Sequence, residues 1–136
     1  MAPFSLATTP RPAFNAEILS ENLVRDQLSA AEELIYVGHR EPALVAAGAA
    51  LEGALRLRAG AIAGPGASAA ALLEALLALG ALDDREYDLL YEALEARDHL
   101  VRGYAPGYGA PVDPDRTRVV LVIVVRLLEE LPTTCN

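Results

Sequence analysis

The stretch "ALVAAGAALEGALRLRAG", residues 43–60, limits what this chain can build more than any other. Ala46, Ala47, Gly48, Ala49, Ala50, Gly53 and Ala54 form a surface with almost no side-chain relief. Alanine is the strongest helix former, leucine and arginine follow it, and an interior glycine costs only about 1 kcal/mol. A helix this bare lets neighbouring helices come close, because the side chains at the contact set the distance between axes. The rest of the chain suits such packing. It has no tryptophan and two phenylalanines, whereas a sheet core draws on aromatic and β-branched residues. A length of 136 residues suggests one domain, able to bury roughly two-thirds of its unfolded surface. The expectation is an all-α, antiparallel bundle of about five helices over residues 15–131. Residues 1–14 are expected to be a flexible arm and 132–136 a tail.

Local signals divide the chain. Pro3, Pro10 and Pro12 mark the arm. Asn15 reads as an N-cap. Ile18, Leu19, Leu23, Leu28, Ala31, Leu34 and Ile35 then recur at helical spacing, and Gly38 is the expected stop. Pro42 suits the first turn of the second helix. Glu52 and Arg56 lie four apart, close enough to pair on one face or to buttress a polar site between helices. "AIAGPGAS" reads as a loop. It lacks the lysine of a phosphate-cradling loop. Ser68 is placed to cap "AAALLEALLALG", which Gly80 closes. Asp83 and Glu86 have the spacing of a capping box for a fourth helix. That helix has Leu89, Leu90, Leu94, Leu100 and Val101 as its apolar positions and ends at Gly103. After the loop "YAPGYGAPVD", Asp113 and Pro114 read as N-cap and first residue of a fifth helix, covering the first, second and fourth. "VVLVIVV" has strong β propensity, and periodicity alone does not separate a buried strand from a buried helix in so short a run. The Asp-Pro-Asp start, the "RLLEEL" continuation and Pro132 favour a central buried helix.

Charge and cysteine content narrow the function. The net charge is −8, and every basic residue apart from histidine is arginine. Proteins that hold nucleic acid by nonspecific attraction are normally basic. A nucleic-acid site here must be a local patch or be formed with a partner. Arg116 and Arg118 supply only a thin patch beside the second loop. Cys135 is the lone cysteine, so one chain builds neither a disulfide framework nor a cysteine metal cluster. No metal or cofactor is expected. No stretch approaches the roughly twenty apolar residues of a membrane span, and the first residues lack a basic, then apolar, signal pattern. A soluble cytoplasmic protein, with no membrane partner, is the expectation.

The densest group of polar chemistry is "EARDHLVRGYAPGYG", residues 95–109. Together with the order of helices and the 43–60 pattern, it resembles the HEPN superfamily of small helical domains. The likeness extends over about residues 16–131. The mark of that family is an arginine, four to six intervening residues and a histidine. Asparagine commonly follows the arginine, and in a toxin subgroup a tyrosine lies two residues after the histidine. Arg97, Val101, Gly103 and Tyr104 fit. Asp98 stands at the asparagine position and Arg102 at the histidine position, and the longer spacings fall on Gly103 and Tyr104.

The resemblance implies a metal-independent endoribonuclease fold of a toxin–antitoxin or defence system. It implies a homodimer whose two motifs line one cleft. It also implies a nucleotidyltransferase antitoxin partner that attaches AMP to Tyr104. RNA would be cut through its own 2′-hydroxyl, with histidine moving protons and arginine neutralising phosphate. Arg102 departs from that chemistry, because a guanidinium with a pKa above about 12 shuttles no proton at neutral pH. His99 is no substitute. At about 100° per residue it points nearly opposite to Arg97. Asp98 and Arg102, four apart, are expected to pair instead. Arg97, Asp98 and Arg102 are thus the candidate catalytic positions, with activity lost or weakened at Arg102. Tyr104 is the candidate modification site, and Tyr87 and Tyr91 are expected to face the core. The alternative is a non-enzymatic HEPN-type module that dimerises or docks a nucleotidyltransferase or other partner.

Overall fold

The bare helix expected at residues 43–60 is the axis of the molecule. The computed structural model describes residues 13–103 and 112–131, with residues 13–20 given by their backbone alone. Among the described residues there are five helices and no strand. They are α1 (Ala13–Tyr36), α2 (Arg40–Ala63), α3 (Ala69–Ala78), α4 (Asp84–Val101) and α5 (Pro114–Glu129). Helix α2 touches all four others, α1 most extensively. Ala43, Ala47, Ala50, Leu51, Ala54, Leu55 and Ala59 on it are wholly buried. Alanine methyls meet leucines from the neighbours: Leu72, Leu73 and Leu76 of α3, Leu90 of α4 and Leu127 of α5 are wholly buried as well. A glycine in α2 makes room for α1. A Cβ at Gly53 would overlap Cγ2 of Val24, which is itself buried.

The helix ends are set by local chemistry. The Ser68 hydroxyl accepts from the Ala71 N–H at 3.1 Å. Asp83 accepts from the Glu86 N–H at 2.8 Å while Glu86 accepts from the Asp83 N–H at 3.0 Å, a complete capping box. Asp113 accepts from the Asp115 N–H at 2.9 Å, and Pro114 opens α5. Gly38, at φ +90°, reverses the chain between α1 and α2. Its N–H reaches Ile35 and the next N–H, of His39, reaches the Leu34 carbonyl at 2.8 Å. This is a Schellman ending, whose left-handed residue favours glycine.

Several details differ from the expectations. Helix α1 begins at Ala13, so Asn15 lies within it and does not cap it. Helix α2 runs on through Ala63, so the loop begins only at Gly64. Leu23 is 58% exposed and Val24 takes the inward position. The buried stripe is Val24, Leu28, Ala31 and Ile35, whose spacing stays in phase with one helix face. Val101, the last residue of α4, points outward. Helix α5 packs on α2, α4 and α1 as expected, but it lies at the periphery. Thr117, Val120, Leu121, Ile123, Val124, Leu127 and Leu128 are buried, whereas Val119 and Val122 are exposed. Of the arm expected at 1–14, residues 13 and 14 belong to α1, and residues 1–12, like the tail expected at 132–136, lie outside the described residues.

Ion pairs tie α5 down. Arg126 donates to both carboxylate oxygens of Glu86 and, at 2.9 Å, to the Ala81 carbonyl. Glu86 thus caps α4 and anchors α5. The Arg126 hydrogen bond, helped by the Asp83 N–H, outweighs burial and holds the Glu86 carboxyl below its ordinary value, while the same bond raises Arg126. At the same end Arg58 of α2 meets Glu130 at 2.8 Å.

Two predictions follow from this packing. Gly53→Ala should lower stability by about 1 kcal/mol, because overpacking against stiff, buried Val24 outweighs the gain in helix propensity. The same change should raise stability in a Val24→Ala background, and so should Gly60→Ala, where a Cβ would meet nothing within 4 Å. Urea unfolding of the variants checks both signs. Glu86→Gln preserves the cap and removes the charge. A lowered carboxyl pKa stabilises the fold above the ordinary value of 4.5 and loses that contribution as pH falls through the lowered one. The parent chain should therefore be the more stable at pH 7, with the difference shrinking below about pH 4.5 in a pH series of melts.

Candidate functional site

The capping box starts α4, and Leu90 and Leu94 turn one face of it toward the core. Arg97 follows Leu94 by three residues and so lies on that same face. It meets α2 at Gly48. A Cβ at Gly48 would stand 2.8 Å from Cγ and 3.3 Å from Cβ of Arg97, so the absent side chain is what admits the arginine stem. The Arg97 side chain is only 14% exposed. Its Nη2 donates to Glu52 Oε1 at 3.0 Å, and its Nε donates to Asp98 Oδ1 at 2.8 Å. Glu52, one turn along α2 from Gly48, also faces Arg56 at 3.6 Å. Of the two roles open to Glu52 it fills both, a loose surface pair with Arg56 and a buttress between helices for Arg97.

This arrangement decides what Arg97 can do. Its planar fork of donors is the feature that would grip a phosphate. Carboxylates already hold two of its five N–H donors, those on Nε and Nη2. An incoming phosphate on that side would have to displace them, and at the remaining donors it would bind near two anions that repel it.

The remaining motif positions are distributed around the helix end. Asp98 bonds Arg97 and not Arg102, contrary to the pairing expected from their spacing. The Gly48 notch lays the Arg97 guanidinium beside Asp98, while Arg102 stands past the last helical residue in solvent, where a long side chain gains little from pairing. Arg102 is the C-cap of α4, its N–H reaching the Asp98 carbonyl at 3.0 Å. Its side chain is exposed and joins no ion pair among the described residues. His99 is exposed in the last turn, where positive charge complements the partial negative charge of a helix C-terminus. That same helix end repels phosphate, whereas anion sites favour helix N-termini. The N-terminus of α5 already carries Asp113 and Asp115.

The wider surface adds little positive charge. Arg116 meets Glu92 at 2.7 Å and Arg118 meets Asp115 at 2.8 Å, so both cations of the expected patch have acidic partners. The tyrosines are split. Tyr87 packs against the core edge, and Tyr91 is 39% exposed with its ring centroid 6.1 Å away, so only the first fits the core-facing expectation. Tyr104 and Cys135 lie outside the described residues. No described helix is long and apolar enough to cross a membrane. Sequence reasoning missed the Gly48–Arg97–Glu52 contact. Its trace is the placement of Gly48 and Glu52 four apart, on one face of a helix otherwise lined with alanine. No protein-family model, curated protein or solved structure matches the chain.

The clasp predicts an order of stabilities. Arg97→Ala should cost about 2 kcal/mol, the value of charged hydrogen bonds lost from a partly buried site. Arg97→Met, which keeps an apolar stem in the notch, should cost less than Arg97→Ala. Arg102→Ala should stay within about 0.5 kcal/mol of the parent. Denaturant midpoints at constant slope give all three comparisons.

Proposed function

We propose that this chain is a HEPN-type helical domain of a toxin–antitoxin or defence system in which RNA cleavage is lost or severely weakened, and that its present role is binding. The observation that carries this reading is the state of its two motif arginines. Arg97 is held by Glu52 and Asp98 against α2. Arg102 occupies the position where proton transfer would be needed, and it has no proton to exchange at neutral pH. A ribonuclease of this type requires one uncommitted cation and one titratable group. Neither position supplies what is required of it. The helical order and the 43–60 pattern support the family likeness, and the committed arginine supports binding over cutting.

The partner this reading favours is a nucleotidyltransferase, with Tyr104 as the AMP acceptor. Tyr104 follows directly after Gly103, the residue that ends α4. An AMP group there would add negative charge two residues from Arg102 in the chain.

The test is metal-free digestion of purified RNA. The parent chain should leave RNA intact. The double variant Asp98→Asn, Arg102→His restores both family residues and releases one carboxylate from Arg97, so it should cleave. Adding Arg97→Ala should abolish that cleavage. Metal-free cleavage by the parent would overturn the binding reading. A folded double variant without activity would remove the ribonuclease link.

A further inference from the structure

Helix α5 has an outward face that meets the core only at the half-buried Val125. Arg118, Val122, Val125 and Glu129 recur at spacings of four, three and four, the seam of a helix that packs against another helix. Val122 is 67% exposed. The face forms one side of a groove of about 640 Å³, with Ile35 and Tyr36 of α1 opposite. Tyr36 is 90% exposed. The strip is small and concave, apolar in its middle with charges at its ends.

The order of charges on this seam selects its occupant. The midpoint between Val122 and Val125 is also the midpoint between Arg118 and Glu129. A two-fold axis through that point, perpendicular to α5, sets Val122 of one copy opposite Val125 of the other. It sets Arg118 opposite the partner's Glu129, and Glu129 opposite the partner's Arg118. A parallel pairing would oppose Arg118 to Arg118 and Glu129 to Glu129. The seam is therefore complementary to itself in one direction only, which is what an isologous contact requires. The charges are available for it. Among the described residues Arg118 bonds only Asp115, whose side chain is 85% exposed, and such a pair contributes little. Glu129 joins no ion pair among the described residues. A net charge of −8 makes two copies repel, but salt screens that repulsion beyond about 8 Å, and the seam itself is balanced.

We propose that two copies of this chain associate through an antiparallel two-fold pairing of α5 across the groove between α1 and α5. The groove shares no residue with the Arg97 clasp, so this pairing stands or falls independently of the proposed function.

Sedimentation equilibrium over a wide concentration series tests it. The parent chain should reach twice the monomer mass. Val122→Asp, at an exposed position, should retain its helical circular dichroism and lose the dimer. Arg118→Glu and Glu129→Arg should each weaken association about tenfold by opposing like charges. Combining them should return the dissociation constant to within about threefold of the parent, since exchanging both signs restores each pair. A parent chain that stays monomeric throughout overturns the proposal. So does a dimer indifferent to Val122→Asp, or a double variant no better than the single ones.

Discussion

The structure depends on how little stands out from the surface of α2. Two glycines on that helix serve two different neighbours. Gly53 admits Val24 of α1, and Gly48 admits the stem of Arg97 from α4. Close approach at these points lets a chain with few aromatic residues fill its interior with alanine and leucine. Contacts between small groups are individually weak, so the fold relies on their number and on fit. A single added methyl group at either glycine falls on an occupied position.

That constraint bears on function through Arg97. Arg97, the arginine of the proposed HEPN-type motif, is also the residue lying in a packing notch, with its charge shared between Glu52 and Asp98. The same habit recurs across the molecule. Arg58 meets Glu130 and Arg126 meets Glu86, each joining α5 to another helix. In an acidic chain most cations have carboxylates close by, so its arginines act as fasteners between helices more than as a phosphate-binding field. Arg102, like Arg40 and Arg85, joins no ion pair among the described residues, and it lies beyond the last helical residue of α4.

Much of this fold was legible in the sequence, and for identifiable reasons. Caps depend on residues three or fewer positions apart, so Ser68, Asp83 with Glu86, and Asp113 with Pro114 could be read directly. The helical state of "VVLVIVV" followed from its flanking residues despite its β propensity. Phase was harder. Leu23 and Val24 are both apolar, and Val24 turns inward because it stays in phase with Leu28, Ala31 and Ile35 and meets the space left by Gly53 of α2. The site was least legible. Spacing suggested that Asp98 would pair with Arg102, because both lie on one helix face. The competing partner, Arg97, is adjacent in sequence and is brought beside Asp98 only by the notch at Gly48, fifty residues away in the chain. Contacts that depend on a missing side chain leave almost no local signal.

The central claim is that Arg97 is part of the fold and not an open anion site. The most direct measurement is the nitrogen-15 signal of the Arg97 Nε–H during titration with inorganic phosphate and then with a short RNA oligonucleotide. A guanidinium held by Glu52 and Asp98 should exchange slowly with water, and its signal should stay in place through both titrations while that of Arg102 is free to move. A saturable shift at Arg97, with faster exchange of its Nε–H, would contradict the account.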